Sequence, residues 1–146
     1  MGRRIAGIVA GYLVMFVFVF VSLAVAYLII GADRAFKPGT YQVTPLWLAV
    51  STVLSLAAAV LGGLAATALA KEARVAKWLA VVVVVLGVIL AIPMLNAPRT
   101  EEVRTSAVGN TEAMMKAQQP PAISILNPVI GAVGVLLGGR LRRPAG

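Results

Sequence analysis

Residues 46–70 read LWLAVSTVLSLAAAVLGGLAATALA, and this stretch decides the fold. It carries no charged side chain, and its 25 residues rise about 37 Å as a helix, more than the roughly 30 Å hydrocarbon core of a bilayer. Small residues recur along it at a spacing of four. Ser51, Ser55, Ala59, Gly63 and Thr67 form one row, with Ala58, Gly62, Ala66 and Ala70 beside it. Residues four apart share one face of a helix. In lipid no hydrophobic drive pulls helices together, so close approach over small side chains supplies the dispersion contact instead. Two such rows place this helix at the centre of a bundle.

The rest of the chain repeats the pattern. This run belongs to an uncharged stretch, 38–70, and three more cover 5–32, 78–98 and 117–139; every Lys, Arg, Asp and Glu lies between or outside them. We therefore expect an all-α membrane protein, a four-helix transmembrane bundle forming one domain over 1–146, with spans at about 5–30, 46–70, 77–95 and 123–139. The fourth is expected to be short and kinked at Asn127-Pro128, because proline lacks an N–H and crowds the backbone one turn earlier. The alternation Phe16-Val17-Phe18-Val19-Phe20 is strand-like, but a run of 26 apolar residues without alternating polar ones does not fit a barrel strand. Arg3 and Arg4 ahead of Ala24-Val25-Ala26 resemble a signal peptide. The apolar run is too long for one and continues past that site, which favours a retained helix.

Composition narrows the chemistry. Of 146 residues, 60% are hydrophobic and 12% charged, against about one quarter charged in soluble domains. The absence of Cys and His excludes disulfides, thiolate nucleophiles, His-held metals or haem, and Ser–His–Asp triads. No basic domain lies outside the apolar runs, so the net charge of +8 reads as membrane anchoring and not as nucleic-acid binding.

The basic residues also give a direction. Arg3, Arg4, Lys71, Arg74, Lys77, Arg140, Arg142 and Arg143 would share one side, eight against the five of Arg34, Lys37, Arg99, Arg104 and Lys116. The positive-inside rule then puts both termini in the cytoplasm, with the eight as anchors for anionic lipid heads. Tyr27, Tyr41 and Trp47 would lie at the outer interface and Trp78 at the inner one. In type the chain resembles small four-span proteins of bacterial inner membranes, which implies that location.

The loops differ in content. Lys37-Pro38-Gly39-Thr40 is a turn signal, and 71–77 is a tight basic turn that makes the second and third spans a hairpin. The segment 96–121 is long enough to have structure of its own. Asn110 could cap a short helix there, followed by Thr111, Glu112 and the run to Gln119, with Pro120-Pro121 stopping it. Met114 and Met115 would give that helix an apolar side. It would lie on the membrane or the bundle, dock a partner, or act as a lid.

Polar groups within the spans are few. Ser22, Ser51, Thr52, Ser55 and Thr67 are expected to bond carbonyls of their own helices. Asn127 needs a partner: a backbone group freed by Pro128, a group on the second span, or a ligand. Gly7/Gly11 and Gly134/Gly138 are GxxxG pairs, suited to packing within the bundle or between subunits. No Asp, Glu, Lys or Arg lies within a span, which argues against proton relays, voltage sensors and ion-coupled carriers. The paired carboxylates Glu101-Glu102 are adjacent on a loop and read as solvated charges. Gly62-Gly63 lacks the Lys-Ser/Thr of a phosphate loop.

These readings point to a non-catalytic membrane protein, a structural or accessory subunit of a larger complex or a small homo-oligomer. The alternative is a small transporter or channel with a polar path past Ser51, Ser55, Thr67 and Asn127; a membrane enzyme ranks third. No cofactor is expected. The expected partners are membrane lipids and other membrane subunits or itself, with no nucleic acid; an apolar pigment on the apolar surface is compatible with the composition.

Overall fold

Each apolar run forms a helix. The computed structural model describes residues 2–96, 103–104 and 109–142; Arg99, Glu101-Glu102 and Arg143 lie outside the described residues. The elements are α1 (Gly2–Ile30), the single turn α2 (Ala32–Ala35), α3 (Pro45–Ala70), α4 (Arg74–Asn96), the short α5 (Asn110–Lys116) and α6 (Pro121–Leu141). Four of them, α1, α3, α4 and α6, are long and apolar enough to cross a membrane.

Local chemistry sets the ends. The Thr44 hydroxyl accepts the Trp47 N–H at 3.2 Å and Pro45 opens the first turn, satisfying one orphan donor while the proline lacks another. At the far end Lys71 takes a left-handed conformation, φ 58, and its N–H closes on Thr67 O at 2.9 Å. That cap reverses the chain in a few residues, so α4 begins at Arg74, ahead of the expected Lys77. Gly39 adopts φ 67 after Pro38, the positive angle that the third position of a type II turn demands.

The chain runs up and down, bringing three of its segments to one end. Arg4 Nε lies 2.8 Å from Glu72 Oε2, so the start of α1 meets the α3–α4 turn. Gly139, near the end of α6, packs on Ala76 of α4. We call this the terminal end. The opposite, loop end carries α2, the turn at 37–40 and α5.

Several expectations change. α6 is longer than the expected 123–139 but remains the shortest of the four: it spans 21 residues, because Pro121 occupies its first turn, where a missing N–H costs nothing. Asn110 does not cap α5. It is the first helical residue after Gly109, and its Nδ2 donates to Ala24 O of α1 at 3.3 Å, a tie between elements in place of a local cap. α5 also stops at Lys116, before the expected Gln119, because Gln118 leaves the helix to bond the extended segment 41–43. Tyr27, Tyr41 and Trp47 lie at the loop end but are buried: with Phe36, Val43 and Ala113 they pack as a cluster under α5. Tyr27 sits edge-on to Phe36 and to Trp47, with centroids 6.3 and 6.0 Å apart. Such edge-to-face pairs set a ring's positive rim against its neighbour's negative face.

Candidate functional site

α3 is the hub, and its two small-residue rows meet different neighbours. Gly62, Ala66 and Ala70 face α1: a methyl added at Gly7 would lie 2.8 Å from Ala66 O, and one at Gly11 2.7 Å from Gly62 O. Ala59, Gly63 and Thr67 face α6. A methyl at Gly134 would lie 2.6 Å from Ala59 Cβ, while methyls at Gly63 and Gly138 would strike the carbonyls of Val135 and Val60. At Gly63 and Gly138 backbone touches backbone, with no room for a side chain between. Met15 of α1 fills the notch over Gly62.

Three hydroxyls in the spans turn back on their own helices. Thr67 Oγ1 donates to Gly63 O or Leu64 O at 2.9 and 3.0 Å, Ser51 Oγ to Leu48 O at 3.1 Å, and Ser22 Oγ to Val19 O at 3.2 Å. Ser51 and Ser55 are half-buried. The α3–α6 seam, where the sequence placed a polar path, is closed by glycine and alanine.

A wider opening than any on this seam lies elsewhere. A cleft of about 770 Å³ runs between α1 and α4, backed by α6 and roofed by α5 and residues 117–119. That is within the roughly 300–1,000 Å³ of small-molecule sites. Tyr12, Met15 and Phe16 of α1 face Val83, Leu86 and Leu90 of α4 across it. Toward the loop end its wall turns polar with Gln119, Ser124 and Asn127. Asn127 reaches neither α3 nor the backbone freed by Pro128. Its Nδ2 donates to Gln119 Oε1 at 3.3 Å, so the amide is satisfied at the rim. Pro128 is buried, and its ring fills the space beside Gly87 of α4, where an added methyl would sit 2.6 Å from Pro128 Cγ. Met114 is half-buried and Met115 is 82% exposed; both line the cleft.

Polar ties hold α5 over the cluster. Tyr41 Oη donates to Glu112 Oε1 at 2.8 Å, and Lys116 Nζ lies 3.3 Å from the same oxygen and 5.3 Å from the Tyr41 ring centroid. The Tyr41 hydrogen bond first, then Lys116, holds the Glu112 carboxyl below its ordinary value. Arg104 Nη2 pairs with Asp33 Oδ1 at 3.0 Å, and its guanidinium lies 5.9 Å from the Phe36 ring centroid.

Of the expected lipid anchors, Arg3, Arg4, Lys71, Arg74, Lys77, Arg140 and Arg142 are exposed and gather at the terminal end. A second groove, of about 510 Å³, opens there between α4 and α6. Sequence reasoning missed both openings. Helical period tells which residues share a face, but not how far two helices diverge. The pairing of Gly87 with Pro128 was the one available signal, a notch and a bulky ring on neighbouring spans.

The described residues define an all-helical integral membrane protein with four candidate spans. No family model, curated protein or solved structure matches the chain.

Proposed function

We propose that this chain is a non-catalytic accessory or structural subunit of a larger membrane complex, or a small homo-oligomer. In the same reading it lies in a bacterial inner membrane with both termini cytoplasmic, and α6 bends at Asn127-Pro128. One observation carries the role: the α3–α6 seam is closed by backbone contact at Gly63 and Gly138, with the Thr67 hydroxyl spent on its own helix. Proteins that conduct ions line a path with polar groups, and those that move protons keep ionisable ones at depth. Here the apolar side chains point outward instead. Phe16, Val17, Phe20 and Val21 form an exposed strip on α1, and Met115, at the rim of the cleft, is exposed at the loop end. Lipid alone can cover the strip. Met115 lies beyond the spans and offers an apolar contact to a partner's outer segment.

The test is purification of the tagged protein in mild detergent, with the particle mass and its components read by mass spectrometry. Stoichiometric companions or a defined oligomer are expected. A monodisperse monomer alone, from native membranes at native expression, overturns the subunit reading.

The cleft under α5 supports a second reading, a small carrier of amphiphilic molecules. Its route would pass Asn127, Ser124 and Gln119. Ser51, Ser55 and Thr67, which the sequence placed on a path, do not line it. Substrate-dependent uptake into vesicles holding the purified chain, abolished by Asn127→Leu, would favour this reading over the first.

A further inference from the structure

We propose that the groove between α4 and α6 at the terminal end is a binding site for one anionic glycerophospholipid. Lys77 and Arg140 would hold its phosphodiester, and one acyl chain would lie along the groove. This goes beyond the subunit reading and stands whether or not the chain has a protein partner.

The groove has the shape of a lipid tail with its head at one end. Its floor is made of small buried residues, Ala76, Ala80 and Gly139, and larger side chains, Val81, Val85 and Leu136, rise beside it and are exposed. Val85 lies eight residues beyond Lys77 on α4, and Ala132 eight before Arg140 on α6. Both stretches therefore extend about 12 Å into the bilayer. Farther in, Gly87 and Pro128 come together and shut the gap between the helices. An acyl chain is the one occupant the bilayer presents at that depth.

Charge selects the head. Lys77 and Arg140 line the mouth, one from each helix, and neither makes an ion pair among the described residues. Arg74 stands one turn from Lys77 and Arg142 two residues beyond Arg140. The one acidic side chain on this turn, Glu72, is engaged by Arg4 at 2.8 Å. The mouth thus carries uncompensated positive charge above an apolar slot. Basic pockets between transmembrane helices are the form that sites for anionic head groups take. Arg140 can meet a phosphate with two parallel N–H donors while Lys77 adds a point charge.

Native mass spectrometry of the full chain, loaded with phosphatidylglycerol or phosphatidylcholine in mild detergent, tests this. One phosphatidylglycerol should stay bound through mild activation and phosphatidylcholine should not. Lys77→Gln/Arg140→Gln should weaken phosphatidylglycerol roughly 30-fold, since each basic residue at a membrane surface contributes about fivefold. Lys77→Arg should retain it. Val81→Phe leaves every charge in place and narrows the slot, so it should also release the lipid. Equal retention of the two lipids, or undiminished binding in Val81→Phe, would overturn the site in favour of diffuse attraction to a basic surface. Circular dichroism and elution volume matching the parent keep the variants interpretable; if the double variant fails to fold, the lipid comparison and Val81→Phe decide alone.

Discussion

Tyr41 and Glu112 are 71 residues apart in the chain, yet the phenol donates to the carboxylate at 2.8 Å. This bond fastens α5 to the loop that joins α1 to α3, and so roofs the cleft with a segment drawn from the far half of the sequence.

Because the bond favours the charged carboxylate, the folded-state pKa of Glu112 lies below its ordinary 4.5. Its contribution to α5 docking is therefore complete above about pH 4.5 and is lost as pH falls through the lower folded value. Tyr41→Phe should move the Glu112 titration midpoint up toward 4.5, read by NMR of the side-chain carboxyl. An unchanged midpoint would mean that Tyr41 does not hold this carboxylate.

The seams around α3 make the glycines unequal. Gly63→Ala drives a methyl into the Val135 carbonyl, whereas a methyl at Gly2 meets nothing within 4 Å. We expect Gly63→Ala to destabilise by about 1–3 kcal/mol or more, the cost of overpacking. Gly2→Ala should stay within about 0.5 kcal/mol of the parent. Equilibrium unfolding in mixed micelles measures both.

Thr67→Val removes a hydroxyl that bonds only within α3. Hydrogen bonds inside membranes average about 0.6 kcal/mol, so the loss should stay below about 1 kcal/mol. A larger loss in the same unfolding measurement would point to a partner for Thr67 outside its own helix.

The sequence holds no cysteine, so single substitutions report topology without background. With both termini cytoplasmic, Lys37→Cys should react with an impermeant maleimide on intact cells. Arg142→Cys should react only after permeabilisation. The reverse pattern would invert the orientation.

The spans were legible because apolar length and the position of charges are one-dimensional properties. The central place of residues 46–70 was legible too, since two small rows at helical spacing need two neighbours. Which neighbour meets which row was not, because Gly7/Gly11 and Gly134/Gly138 carry the same signature. The cleft was illegible for a different reason. It arises where α1 and α4 stand apart, and Tyr12, Val83 and Asn127 share no spacing that a sequence displays. Asn110 looked like a cap and Asn127 like a group seeking a buried partner. Each found its partner through tertiary placement, Ala24 O for one and Gln119 Oε1 for the other.

The two faces of α3 also impose an order of birth. Synthesis delivers α1 first and α3 soon after, so the seam through Gly7, Gly11, Gly62 and Ala66 can close while the ribosome is still making the second half. The other face, at Ala59 and Gly63, stays bare until α6 emerges. A chain halted after α4 therefore exposes a ready-made glycine notch in the membrane, and any span with small residues at the right spacing can compete for it until α6 is made.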